Sequence, residues 1–68
     1  MKVKVVATTS IEDGQYKDSD VVSLYVEGLC LVYDPVENKY SKISDQDIQA
    51  GTIISQGIFH YKVVKVEK

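Results

Sequence analysis

The apolar residues of this chain have the wrong shape for helices. Eleven valines and six isoleucines stand against three leucines and two alanines. Side chains branched at Cβ lose rotamer freedom in a helix and fit a pleated surface. Five tyrosines add to the same bias. A β-dominated fold follows before any pattern is read. With 68 residues the chain has room for one small domain, spanning 1–68, and one core. A domain of this size buries only about 60% of the surface its unfolded chain exposes. That leaves little depth for a substrate cleft or a dinucleotide site.

Period-two alternation then places the strands. From Lys2 to Thr8, Val3 and Val5 fall on one face and Lys2 and Lys4 on the other. Thr9 to Asp20 reads as a long polar loop pinned by Ile11 and Tyr16. Val21 to Glu27 is the second strand, with Val22, Leu24 and Val26 on one face. Gly28 reads as a hairpin turn with Glu27, or as a bulge in one long bent strand. Leu29 to Asp34 is apolar on both faces, which predicts a central strand covered on both sides. Asp34-Pro35-Val36-Glu37-Asn38 is a turn: proline presets φ, Asp34 accepts from the backbone beyond it, and Asn38 tolerates the left-handed conformation. It joins Asp34 to a strand over Tyr40 to Ile43 and sets Tyr33 beside Tyr40 as a cross-strand pair.

Ser44 to Gly51 carries a helix start and stop, with Ser44 at the N-cap and Ile48 as the apolar anchor. It has space for about six helical residues, fewer than two turns. Two strands follow, Thr52 to Ser55 and Ile58 to Glu67. The last one changes phase, because Phe59, Tyr61 and Val63 share a face and then Val64 and Val66 take the apolar role. A β-bulge near Val63-Val64 reconciles the two halves. The expected fold is all-β: five or six antiparallel strands in a curled sheet or partly closed barrel, with one short helix near residues 45–50. In the order of its elements the chain is similar to an SH3-like barrel. The expected interior is Val5, Val22, Leu24, Val26, Leu31, Tyr33, Ile54, Phe59, Tyr61 and Val63.

Catalytic and metal signatures are absent. Cys30 and His60 are the only residues of their types, and Cys30 lies in the most apolar run. A buried thiol of that kind behaves as a small hydrophobe. One Cys and one His cannot build a structural zinc site. Asp18-Ser19-Asp20 and Asp45-Gln46-Asp47 lack the glycine and glutamate spacing of an EF-hand loop. No nucleophile elbow, Walker sequence or dinucleotide fingerprint is present. The expectation is a non-enzyme with no metal and no cofactor.

Charge separates two binding hypotheses. All eight basic residues are lysines, against ten acids, for a net charge of −2. The lack of arginine removes the planar bidentate donor that suits phosphate and guanine. The ends of the chain, 1–4 and 62–68, are basic and the remainder is acidic. If the two ends pair, they give the sheet a basic edge, and lysines on an edge discourage aggregation. Lys2, Lys4, Lys62 and Lys65 then form the one stripe able to hold nucleic acid, with His60 and Tyr61 beside it. The net negative charge disfavours that reading. The preferred partner is a protein, docked on the acidic loop through Tyr16 and Asp13, Asp18 and Asp20. Self-association stays open because apolar strands leave edges to cover. The single cysteine suits a reducing compartment. The start of the chain lacks a signal-peptide core, and the longest apolar run, Leu29 to Tyr33, is far short of the ~20 residues of a membrane span. A cytoplasmic protein that does not enter membranes is therefore expected.

Overall fold

The computed structural model describes residues 1–67. Six antiparallel strands form one sheet: β1 (Lys2–Ala7), β2 (Val21–Tyr25), β3 (Leu29–Asp34), β4 (Lys39–Ser44), β5 (Ile53–Gln56) and β6 (Phe59–Glu67). Their order across the sheet is β2-β1-β6-β5-β3-β4. Among the described residues the helical elements are short 3-10 turns at Thr8–Ser10, Asp18–Asp20 and Asp45–Asp47. The sheet is not closed, so of the two expected forms it is the curled sheet.

Chain length requires the curl. β2 and β3 stand first and fifth in the sheet, about 19 Å apart if it were flat. Four residue steps from Tyr25 to Leu29 reach at most about 14 Å. The sheet must therefore bend until the end of β2 meets the start of β3. Gly28 makes that corner with φ at 72°. β2 and β3 do not pair, which excludes the hairpin reading of Gly28. Its carbonyl accepts from the Asp45 amide at 2.8 Å, and the Met1 ammonium and carbonyl both bond to the backbone of Val26.

Strand registers fix two faces. Val5 opposes Val22 and Val63, Cys30 opposes Ile43, and Ile54 opposes both Val32 and Tyr61. This inner face holds the core of Val3, Val5, Val26, Cys30, Ile54 and Val63, and Ile48 joins it from beyond the Asp45–Asp47 turn. The β-bulge is where the alternation places it. Between Lys4 and Val5 the partner on β6 jumps from Lys65 to Val63, which leaves Val64 as the extra residue. Ser44 caps the 3-10 turn by accepting from the Gln46 amide. The Asp34–Asn38 turn also forms as read. Asp34 Oδ1 accepts from the amides of Val36 and Glu37, and Asn38 has φ at 54°.

Five expectations are corrected. Tyr33, expected in the interior, is half-buried on the outer face, because it shares the parity of Leu31 along β3. Leu31 is 40% exposed and Leu29 is 72% exposed, because both lie on the outer face. β3 is therefore not covered on both sides, and Cys30 between these leucines is its buried residue. Val22 faces inward yet is half exposed, since β2 is an edge strand with no neighbour beyond it. Phe59 sits beside the Gly57-Ile58 turn at the end of its strand and is also half exposed. Finally, the basic terminal strands pair with each other in the middle of the sheet, not at its edge. The free edges are β4, which carries Lys39 and Lys42, and β2, which carries no charge.

Cys30 gives a direct test of the inner face. Burial pushes its thiol pKa up, and the Asp45 carboxylate adds to the shift. Thiolate is the reactive form, so the native protein is expected to resist a thiol reagent and the unfolded chain to react readily. Timed labelling with and without denaturant checks this, and fast native labelling would place Cys30 outside the core. The same shift has a stability sign. The folded thiol keeps its proton above the ordinary value of 9.0. Its contribution is complete below that value and is lost as pH rises through the raised folded pKa.

Candidate functional site

Two surfaces of opposite charge gather the residues singled out in the sequence. The first is the connection between β1 and β2. It is an ordered structure and not an open loop. Glu12 and Gln15 exchange backbone hydrogen bonds of 2.9 and 3.0 Å. Asp13 and Gly14 between them have φ at 54° and 76°. Positive φ at both central residues is the mark of a type I′ turn, for which Asp-Gly is a favoured pair. That dipeptide was a local signal for a tight turn inside the long connection. Beyond it, the Asp20 amide donates to the Lys17 carbonyl at 2.9 Å within the Asp18–Asp20 turn.

This backbone brings Asp13, Tyr16 and Asp20 around one open depression of about 390 Å³, together with Glu12 and Lys17. Asp18 does not line it. Glu12, the first acid of the loop, takes its place in the depression. Residues 12–20 hold four acids and one lysine. Tyr16 is 43% exposed, so it does not pin the loop to the core and its ring is open to a partner. Ile11 is half-buried.

The second surface is the outer face of the sheet. Lys4 lies directly opposite Lys65, Lys2 opposite Glu67, and Lys62 opposite Val6. All four stripe lysines therefore share one face, and the Leu31–Lys42 pair adds Lys42. Two like charges facing each other destabilise a strand pair. Glu67 relieves this one, with Oε1 at 3.8 Å from Lys4 Nζ. Of the two aromatic neighbours expected for the stripe, only His60 is on this face. Tyr61 points inward and packs against the core.

His60 belongs to a three-ring cluster on the outer face. Its ring stacks on Tyr33 at 4.7 Å between centroids with an interplanar angle of 22°. Tyr33 lies 4.9 Å from Tyr40, the cross-strand partner expected from the hairpin. The Tyr40 hydroxyl is 3.1 Å from His60 Nε2, and the Tyr33 hydroxyl donates to Asn38 Oδ1 at 2.6 Å. His60 reaches Tyr33 across β5, a neighbourhood that depends on strand order and leaves no local sequence signal. Among the described residues no group of three or more His, Cys, Asp or Glu is placed to hold a metal ion. Among the described residues no helix is long and apolar enough to cross a membrane. The chain matches no family model, no curated protein and no solved structure.

Proposed function

We propose that this protein is a non-catalytic interaction module that binds a protein partner through its acidic loop. The observation that carries the reading is the shared depression of Glu12, Asp13, Tyr16 and Asp20, set on a hydrogen-bonded turn. A loop already held in shape loses little conformational entropy when it docks. An exposed tyrosine brings contact area at small entropic cost. The surplus of carboxylates favours a basic segment of the partner and steers its approach. The reading places the protein in the cytoplasm, where the unpaired Cys30 stays reduced.

The test is a pull-down from the native cell, with wild type, Tyr16→Ala and Asp13→Asn/Asp20→Asn as baits, each with and without nuclease. The expected result is a partner held by wild type, weakened by either loop variant and indifferent to nuclease. Loss of anchor area at Tyr16 is worth about 1–2 kcal/mol or more at a hot spot. A partner retained equally by all three baits, or released by nuclease, refutes the reading.

A further inference from the structure

We propose that the outer face of the sheet binds single-stranded nucleic acid, with bases stacked at the Tyr33–Tyr40–His60 cluster and phosphates held by the lysines around it. This surface is separate from the acidic loop, so the inference does not depend on the protein-binding reading.

The registers place Lys2, Lys4, Lys42, Lys62 and Lys65 on this face, and Glu67 is its one acid among the described strand residues. The molecule is acidic as a whole, but five of its eight lysines lie on this face. The lysines are also ordered relative to the rings. Lys42 lies two residues past Tyr40 on β4, and Lys62 lies two residues past His60 on β6. Residues two apart on a strand share a face and stand about 7 Å apart. Tyr40 and His60 therefore each have an ammonium beside them on their own strand, while Tyr33 on β3 has none.

Stacking platforms flanked by cations are how single strands are held without sequence readout, since every base has a π-face. A duplex keeps those faces inside its own stack. Of the three clustered rings Tyr40, at 54%, is the most exposed. His60 and Tyr33 back it through the stacked pair and the contact from the Tyr40 hydroxyl to His60. Without arginine the face lacks the bidentate donor that reads guanine, so the binding is sequence-tolerant.

The experiment is fluorescence anisotropy with three labelled probes: a fifteen-residue oligothymidylate, a duplex of the same length, and oligoglutamate of matching charge. Proteins are wild type, Tyr40→Ala, Tyr40→Phe, Lys42→Gln/Lys62→Gln and, as a control, Asp13→Asn/Asp20→Asn. The single strand is expected to bind more tightly than the other two probes. Tyr40→Ala weakens it about tenfold, while Tyr40→Phe, which keeps the ring, binds like wild type. Each phosphate contact on a single strand contributes about −0.7 to the slope of log affinity against log salt, so five lysines allow a slope no steeper than about −3.5. The Lys42/Lys62 double variant flattens the slope by about 1.4. The loop control binds the single strand at least as well as wild type. The inference is overturned by no binding at low salt, by duplex or oligoglutamate binding as tight as the single strand, by Tyr40→Ala equal to wild type, or by weakened binding in the loop control. Oligoglutamate binding of that strength would instead mark the face as a site for an acidic protein.

Discussion

Ile54→Ala is expected to remove about 2–5 kcal/mol of stability. A chain of this length has roughly 3–10 kcal/mol in total, so the variant is expected to be partly or wholly unfolded in mild denaturant. Ile54 is 5% exposed, sits directly opposite both Val32 and Tyr61, and belongs to the central cluster. Truncation there leaves a cavity walled by stiff β-branched neighbours that close over it poorly. Leu31→Ala removes a side chain of similar size one strand away, with a small expected effect of about 1 kcal/mol or less. Leu31 is on the open face, and its β4 partner is Lys42. Urea midpoints of the two variants measure the contrast. Equal losses would mean that a second layer covers the outer face.

Removing residues 1–6 is expected to abolish cooperative unfolding altogether. Those residues are nearly all of β1, which lies between β2 and β6 and supplies Val3, Val5 and Val6, all at most 1% exposed. Their loss takes Val3 and Val5 from the core cluster and leaves β2 without any partner strand. Replacing the six residues from Glu12 to Lys17 with a short Gly-Ser linker should leave the melt cooperative, because no fully buried side chain is lost. Circular dichroism melts of both deletions decide the matter. A cooperative transition in the chain lacking residues 1–6 would contradict the strand order.

What the sequence disclosed was local. Asp34-Pro35 and Asn38 specify their turn through φ preferences and a side-chain acceptor, and no distant residue is needed. The bulge at Val64 was legible because a change of phase is written into the order of valines and lysines along β6. Leu29 to Tyr33 defeated the same method. With apolar residues on both faces, alternation carries no sign, and the choice of Cys30 as the inward residue comes from its pairing with Ile43. Val22 and Phe59 have inward registers but sit at an edge and at a strand end. Their exposure depends on neighbours that only the strand order supplies. The same limit applies to the two surfaces. The lysine periodicity showed which residues align, but not that their strands run through the middle of the sheet. The acidic loop could be read as charge, while its depression depends on the turn at Asp13-Gly14.

The pairing of β1 with β6 also sets the order of events when the chain folds. Lys2 meets Glu67 and Val3 meets Val66, so the contacts that finish the sheet join its most distant residues. Closing so large a loop costs entropy before the contacts return anything. The β3–β4 hairpin is free to form early, because its strands are joined by a four-residue turn. β1 and β2 can pair as well, but their inner face stays open until β6 arrives. During synthesis, the valines of β1 leave the ribosome before β6 and wait for that strand before they are covered. A small protein of this topology folds over milliseconds to seconds, more slowly than a helical one of equal length. In that interval the uncharged β2 is exposed to other unfinished chains, which makes aggregation during folding its main hazard.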